Sequence, residues 1–234
     1  MFSHLIPEFK VGFSDQLDPL TRSLIEPKPQ KIIAPFIIIA GPNGAGKTSF
    51  YQNHLGNFPY PSINADKIAL DEFGNDEPGT ATKAARRATE IREELVVQRH
   101  SFIFETVLSD PVGDKVAFCQ RAKNQGYLIE AHFIGLTNPA LSQARVIQRV
   151  SRGGHDVPDN KIAARYPRVL ENLKRLIPMA DQLTIYDNSE IARSHRPIAF
   201  FKEGDLIALS TEIPKWLDYL DLPSLTGPNT QTFS

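Results

Sequence analysis

The chain has 234 residues, enough for one domain with a substantial core, and its hydrophobic (41%) and charged (23%) fractions are ordinary for a globular protein. A formal net charge of -1 gives no overall field that would attract long nucleic acid or an acidic membrane. The single cysteine, Cys119, excludes an internal disulfide and a cysteine-rich zinc site, and no apolar run approaches the roughly 20 residues of a membrane span.

The N-terminal segment lacks the pattern of a secretion signal. Its start, MFSHLIPEFK, has no basic stretch followed by an apolar one, so we expect a cytoplasmic protein. The Pro-rich, polar stretch IEPKPQK (25–31) indicates a linker. We therefore expect residues 1–31 to form an extension and linker, and the main domain to occupy 32–212.

A phosphate-binding loop follows the first predicted strand. FIIIAG (36–41) is a continuous apolar run, as expected for a strand buried on both faces, and GPNGAGKT (41–48) fits the pattern G-x-x-x-x-G-K-[ST]. Glycines let the backbone fold around an anion with its N–H groups pointing inward, and the next helix presents its positive end. Lys47 is expected to reach the β- and γ-phosphates, and Thr48 to offer its hydroxyl to Mg²⁺.

This loop predicts ATP as the bound nucleotide. A guanine-reading N-K-x-D element is missing, because the one N-K, in NKIA (160–163), lacks the aspartate. A kinase or an ATPase is therefore favoured over a GTPase. The residues expected to contact the nucleotide are Gly41, Pro42, Asn43, Gly44, Ala45, Gly46, Lys47, Thr48 and Ser49.

A carboxylate follows the next predicted strand, in SINAD (62–66). Asp66 is a candidate general base that orients an acceptor hydroxyl. The alternative is that Asp66 caps a helix starting near Lys67, and one side chain could serve both purposes.

A helix is predicted over 80–100, with Ala84, Ala88, Ile91 and Leu95 on one face. The predicted strand SFIFET (101–106) follows it, and a second carboxylate, Glu105, lies near the end of this strand. Carboxyl ends of parallel strands face the ligand crevice, so Glu105 could order the Mg²⁺ shell through water or hold the acceptor. Asp187, at the end of LTIYD, is a rival by the same argument.

Three arginines in ALSQARVIQRVSR occupy the spacing i, i+4, i+7: Arg145, Arg149 and Arg152. If the helix continues that far they share a face, and such a cluster is stabilised by an anion such as a transferring phosphoryl group. The alternative is a solvated basic face. GGH follows and suits the joint of a closing lid, and Arg165 and Arg168 lie beyond it.

The remaining elements complete an α/β pattern. Helices are predicted over 114–126, 140–150 and 162–177, the last kinked at Pro167, and strands over 127–136 and 182–189. RPIAFFKEGDLIAL (196–209) predicts a hairpin at the sheet edge, and residues 213–234 a C-terminal helix and a loose tail. Alternating strands and helices predict an α/β fold, with a mostly parallel, P-loop NTPase-like sheet covered by helices on both faces.

Together, five stretches resemble the zeta toxin family, which are P-loop kinases of UDP-N-acetylglucosamine and related UDP-sugars. The stretches, in the family's order over roughly residues 34–189, are AGPNGAGKTSF, NAD (64–66), FIFET, RVIQRVSRGGHDVPDNKIAARYPRVLENL and YDNS. The Walker loop is common to many families, whereas the RGGHDVP block downstream of NAD is much more specific. The order Thr48-Ser49 departs from the commoner Ser-Thr after the lysine, but either hydroxyl can serve Mg²⁺.

The resemblance implies a role for each matching position. Asp66 would be the base at the amino sugar's 3′-hydroxyl, and lid arginines would meet the transferring phosphoryl: Arg149 and Arg152, with Arg145 or Arg165 assisting. Asn64, Asp66, Glu105, Thr106, Arg145 and Arg165 would form the acceptor pocket. The family also implies ATP and Mg²⁺ as cofactors, a toxin–antitoxin system and an antitoxin protein as a possible partner.

Three other interpretations stay open. A P-loop kinase could act on another acceptor, such as a nucleoside, an antibiotic or a polynucleotide end. A regulator could bind ATP and switch without transferring phosphate to an acceptor. An interaction module could work through residues 1–30 and the tail, in which case deleting them would abolish function and leave ATP turnover untouched.

Overall fold

A buried β-sheet organises the part of the protein that the computed structural model describes, which comprises residues 34–74, 79–152, 157–222 and 231–233. Eight strands run in the spatial order β2-β3-β1-β4-β5-β6-β7-β8. Their bounds are β1 Pro35–Ala40, β2 Ser62–Asn64, β3 Phe102–Thr106, β4 Leu128–Gly135, β5 Gln182–Asp187, β6 Arg196–Lys202, β7 Asp205–Ser210 and β8 Gln231–Phe233.

Helices connect the parallel strands. They are α1 Lys47–Phe50, which continues as a π-helical turn over Tyr51–Leu55, α2 Ala65–Phe73, α3 Thr80–Val97, α4 Asp114–Asn124, α5 Pro139–Val150 and α6 Asp159–Leu176. Helix α6 runs through Pro167, where the sequence predicted a kink, without a break in the assigned helix. A short 3-10 helix spans Lys215–Leu220.

The sheet is mostly parallel, as the alternation of strands and helices predicted. Strands β1 to β5 pair in parallel, whereas β6 pairs antiparallel with both β5 and β7. The predicted hairpin around KEGD is therefore confirmed. The sheet extends one strand beyond it, since β8 pairs in parallel with β7.

The apolar run of β1 is buried on both faces, which confirms the interpretation of FIIIAG. Phe36 and Ile38 join the larger core cluster, which includes side chains of α3, α4 and α6. Ile37 and Ile39 join a second cluster with Phe50 of α1. Because successive strand residues point to opposite faces, helices cover this sheet on both sides.

One expectation, at the C-terminal end, needs correction. Gln231–Phe233 were expected in a loose tail but form β8, because the open edge of β7 offers unpaired backbone groups to a passing chain. On α3 the predicted face is confirmed, since Ala84 and Ala88 are buried and Ile91 and Leu95 are half-buried against the core, beside buried Arg92 and Val96.

Cys119 lies in the core of α4, as expected for a structural thiol. Burial raises its pKa to about 12, so it is protonated and unreactive at neutral pH. Among the described residues, no helix combines the length and the apolar character that a membrane crossing requires.

Candidate active site

The phosphate-binding loop lies at the carboxyl end of β1, between α1 and the neighbouring strands. Gly41 has a φ of 147° and a Cβ there would meet the carbonyl oxygen of Ile134 at 2.1 Å, so only glycine fits. Lys47 begins α1 and is 8% exposed. Its Nζ donates to the carbonyls of Gly41 (3.1 Å) and Pro42 (3.0 Å), which folds the lysine over its own loop.

Side chains from distant segments hold the loop backbone. Ser142 Oγ of α5 donates to the carbonyl of Asn43, and Asn188 Nδ2, just past β5, donates to the carbonyl of Ala45 at 2.8 Å. His195 Nε2 lies 3.1 Å from the carbonyl oxygen of Gly46. These contacts satisfy the buried carbonyls of Asn43 and Ala45 and add to the bond that the Gly46 carbonyl accepts from the amide of Phe50, so the loop is held in shape before any ligand arrives.

A cavity of about 700 Å³ opens beside this loop. Sheet register explains which groups meet there: Asn64 of β2 pairs with Glu105 of β3, and Glu105 pairs with Ile39 of β1. The carboxyl ends of these three parallel strands therefore lie side by side at one edge. We call the cavity wall formed by residues 43–49 the donor half, and the wall formed by α2, α3 and the end of β3 the acceptor half.

Thr48 and Glu105 meet where the two halves join. Thr48 Oγ1 donates to the carboxylate of Glu105, at 3.1 Å from Oε1 and 3.3 Å from Oε2. A hydroxyl and a carboxylate are hard oxygen ligands of the kind Mg²⁺ takes together with phosphates and waters. Within the described ranges, no cluster of three or more His, Cys, Asp or Glu side chains could hold a metal unaided. The donor set therefore fits a magnesium ion that arrives with a nucleotide.

Asp66 lies in the cavity wall, but it is not the cap of the following helix. Helix α2 starts at Ala65, and its cap is Asn64, whose Oδ1 accepts from the backbone amides of Asp66 (2.8 Å) and Lys67 (3.4 Å). The capping alternative for Asp66 is thus wrong. Asn64 matches the cap preference of helix N-termini, which the sequence already displayed.

Cations surround Asp66 and the phosphate loop. Burial lowers the pKa of Lys47, with Glu105 and Asp66 opposing the shift and Arg149 adding to it. Burial also lowers the pKa of Arg165, again against the opposing charge of Asp66. The one carboxylate of Asp66 therefore acts electrostatically on the lysine of the loop and on an arginine of α6.

Of the residues proposed from the sequence, most line this one cavity. Those that do are Asn43, Gly44, Gly46, Lys47, Thr48, Ser49, Asn64, Asp66, Glu105, Thr106, Arg145, Arg149 and Arg165. Gly41, Pro42 and Ala45 shape the loop from behind it.

Arg152 differs from the other arginines. Helix α5 ends at Val150, so Arg152 does not extend the row of Arg145 and Arg149, and it is not among the residues that line the cavity. The proposed joint GGH lies outside the described residues.

Asp187, the rival of Glu105, belongs to a structural network. Its Oδ1 accepts from Trp216 Nε1 (3.1 Å) and Ser189 Oγ (2.6 Å), and its Oδ2 lies 3.6 Å from a guanidinium nitrogen of Arg196. Asp187 also opposes the burial effect that lowers the pKa of Arg145, which donates to the carbonyl of Ser189.

Sequence reasoning missed the residues that grip the loop and one cation in the acceptor half. Ser142, Asn188 and His195 were not proposed because they contact backbone atoms far away in sequence. No role was predicted for Arg92 from the sequence, yet it lines the cavity and is buried. The sequence contained one indication of this burial, because Arg92 follows Ala84 and Ala88 at intervals of four residues and so falls on the same face of the helix.

Comparisons with known proteins agree with this architecture. The family model described as an AAA domain matches residues 36–171. An uncharacterized protein of Haemophilus influenzae is 28% identical over 134 residues, which cover 56% of this chain and 91% of that protein.

Two solved structures share the fold at low sequence identity. A chain of the PezAT chromosomal toxin–antitoxin system of Streptococcus pneumoniae has a TM-score of 0.54 and 19% identity, over 76% of this chain and 75% of that one. A chain of the AvrRxo1-ORF1:-ORF2 complex with ATP has a TM-score of 0.57 and 18% identity, over 83% of this chain and 66% of that one. This chain thus spans about two thirds of the length of the latter. These findings confirm the predicted P-loop domain fold.

Proposed function

This chain belongs to the AAA domain family, and from that premise we propose that it is an ATP-dependent kinase that phosphorylates a hydroxyl of a UDP-sugar such as UDP-N-acetylglucosamine. One observation carries the proposal. A single cavity joins a preformed phosphate loop to a carboxylate, Asp66, and to the cations Arg149 and Arg165. A nucleotide-binding regulator would need the phosphate loop but not Asp66, Arg149 or Arg165 beside it.

The donor half binds ATP. Backbone amides of the loop and the positive end of α1 take the phosphates, and Lys47 exchanges its two loop carbonyls for β- and γ-phosphate oxygens. Thr48 and Glu105 would hold Mg²⁺, directly or through water. A bound magnesium ion neutralises charge that develops on the phosphate oxygens during transfer.

Asp66 positions the acceptor. Its side chain is exposed in the cavity wall and takes no part in capping α2, because Asn64 makes the cap bonds. It is thus available to accept the proton of a hydroxyl and aim that oxygen at the γ-phosphorus. Asn64 and Thr106 lie beside it in the wall and would contact the acceptor.

Arginines of α5 and α6 stabilise the transferring group. Arg145 and Arg149 lie one helical turn apart on α5, and Arg165 faces the same cavity from α6. Their positive charge lowers the energy of the in-line transition state, where charge spreads over the equatorial oxygens. Arg152 would have to move toward the cavity to take part.

The choice of a UDP-sugar follows from the stretches that resemble zeta toxins, and the toxin–antitoxin neighbour adds to it. The same likeness suggests an antitoxin that covers the cavity, and a toxic effect when this protein is present without it. The proposed domain organisation is an N-terminal extension and linker over 1–31, a catalytic domain over 32–212 and a C-terminal segment over 213–234, from which Trp216 packs into the core and β8 joins the sheet.

A mass-spectrometric screen tests the acceptor. The full chain is incubated with ATP, Mg²⁺ and a panel of UDP-sugars, free amino sugars, nucleosides, aminoglycosides and 5′-hydroxyl oligonucleotides. We expect a gain of one phosphate on a UDP-sugar. Phosphate gained on another member of the panel would reassign the acceptor, and ATP binding with no acceptor phosphorylated would favour a regulator.

A further inference from the structure

The acceptor half has a wall of small side chains that ends at a buried cation. Ala81, Ala85, Ala88 and Arg92 follow one another at intervals of four, three and four residues along α3, and all four line the cavity. Because this spacing keeps them on one helix face, the alanines leave open space that leads to the guanidinium of Arg92.

Arg92 is only 6% exposed, and its charge forms no ion pair with the residues that the structure describes. Its guanidinium carbon lies 4.0 Å from the ring centroid of Phe104, and one terminal nitrogen donates to Thr89 Oγ1 at 3.0 Å. Its Nε has no hydrogen-bond partner. The adjacent Glu93 forms an ion pair with Arg121 at 2.7 Å, and it acts on Arg92 only as a nearby charge that opposes the effect of burial on the pKa of Arg92.

Such a cation is unfavourable in a folded protein unless something pairs with it. Buried charges are normally matched by an opposite charge or by a full set of hydrogen bonds, and an aromatic face alone compensates only part of the lost hydration. Burial lowers the pKa of Arg92 to about 10, so the group stays charged at neutral pH. Within the described part of the chain Arg92 lacks a direct ion pair, and an anionic ligand that enters the cavity would supply one.

We propose that Arg92 binds an anionic group, a phosphate or a carboxylate, on the acceptor molecule. The assignment of the anion to an acceptor molecule rests on the proposed kinase function. The anion site itself depends on Arg92 alone. Lys115 also lines the cavity, but its Nζ lies 3.4 Å from Asp110 Oδ2, so it already has a counterion. Arg92 therefore selects charged acceptors over neutral ones.

Binding of defined anions tests the site without any turnover. The full chain is saturated with Mg²⁺ and AMP-PNP, which occupies the donor half, and is titrated calorimetrically with UDP, inorganic pyrophosphate or malonate. We expect at least one probe to bind the wild type and to bind Arg92→Met about 10- to 100-fold more weakly. Preference for pyrophosphate and UDP would identify a phosphate, and preference for malonate a carboxylate.

Arg86→Met is the matched control, since Arg86 is on the same helix with its side chain 84% exposed and paired with Glu90. It should leave all affinities unchanged. Absence of binding by every probe in the wild type, or equal binding by Arg92→Met, would overturn the proposal.

Stability separates a binding role from a structural one. Replacing an uncompensated buried charge by an apolar side chain of similar length is neutral or stabilising, so ligand-free Arg92→Met should melt at the wild-type temperature or above it. Arg92→Lys serves as a second variant because it retains the charge, and it should lose several-fold in anion affinity through loss of the planar fork. If both variants fold less stably and bind the probes as the wild type does, Arg92 is a core residue.

Failure of this inference and failure of the proposed function give different results. Arg92-dependent binding of a probe together with no phosphorylated UDP-sugar would remove the UDP-sugar proposal and leave the anion site. If Arg92→Met phosphorylates a UDP-sugar with an unchanged KM, the UDP-sugar proposal would stand and the anion site at Arg92 would be refuted.

Discussion

The donor and acceptor halves of the cavity differ in how the protein satisfies the backbone carbonyls and the charged side chains that line them. In the donor half, carbonyls of the phosphate loop accept from Ser142, Asn188 and Lys47, and His195 lies against another. In the acceptor half, the carboxylate of Asp66 is exposed to solvent, and buried Arg92 has no ion-pair partner among the described residues. One half is preorganised and the other is completed by its ligand.

This contrast suggests that the donor half recognises a fixed chemical group, whereas the acceptor half uses unsatisfied charge to discriminate. A site whose buried polar groups are left unpaired by the wrong ligand rejects that ligand strongly. Four substitutions or conditions test the comparison, beginning with the largest effect.

Lys47→Ala should abolish the donor half. The variant loses the only charged side chain of the loop that reaches the phosphates, so we expect ATP-dependent turnover to fall by about 10³-fold or more. Steady-state kinetics and nucleotide titration measure the loss. Binding of anions at Arg92 should persist in this variant, and normal catalysis would refute the assignment of the loop.

Asp66→Asn should disable the acceptor half and leave the donor half intact. The amide keeps the size of the carboxylate but cannot take a proton, so transfer should slow by about 10²-fold while ATP affinity stays unchanged. Comparison of kcat with the nucleotide dissociation constant checks both parts. Transfer at the wild-type rate would remove Asp66 from the chemistry.

Asn188→Ala should loosen the donor half from behind. The substitution leaves the carbonyl of Ala45 and the amide of His195, which donates to Asn188 Oδ1 at 3.1 Å, without partners in a buried setting. We expect the free energy of unfolding to fall by about 2–3 kcal/mol, and ATP to bind more weakly. Urea denaturation measures the loss, with exposed Asn124→Ala as a control that should change stability by less than about 0.5 kcal/mol. A stable Asn188→Ala variant would show that the loop holds itself.

Acid should weaken the donor half through His195, the smallest of the four effects. Burial lowers the pKa of His195, with His54 and Arg145 adding to the shift and its contact with Gly46 opposing it. As pH falls, His195 takes up a proton in the unfolded chain at a higher pH than in the folded protein. The contribution of neutral His195 to the free energy of unfolding is therefore complete above about pH 6.5 and is lost as pH falls below that value. His195→Gln keeps a donor for Gly46 without titrating, so its unfolding free energy between pH 7 and 5 should fall less than that of the wild type. Parallel curves for the two proteins would exclude His195.

The elements that the sequence predicted well were those with local patterns. The loop GPNGAGKT identifies itself through residue type and spacing, and Glu105 was placed correctly because carboxyl ends of parallel strands share an edge. The contacts of Asn188 and His195 were beyond prediction for a physical reason. They contact the backbone carbonyls of Ala45 and Gly46, which lie 143 and 149 residues away in the sequence. Every residue has a backbone carbonyl, so residue type does not show which carbonyl accepts such a bond.

Two errors have related causes. Asn64 and Asp66 both suit a helix cap, and only the exact start of α2 decides between them. Arg92 resembles the exposed arginines around it in AARRATEIREE, and its burial depends on how α3 is turned against Phe104. Such rotations are set by packing, which the pattern of one helix does not contain.

The indole of Trp216 gives the protein an optical reporter. It is the sole tryptophan in the sequence, and its ring lies where a Cβ of Gly135 would be, at the end of β4. Its Nε1 bonds to Asp187, which also binds Ser189, whose carbonyl accepts from Arg145 in the cavity wall. All tryptophan fluorescence therefore originates three hydrogen bonds from Arg145 in the cavity wall, so we expect emission to follow both unfolding and ligand binding in the native chain without an added dye.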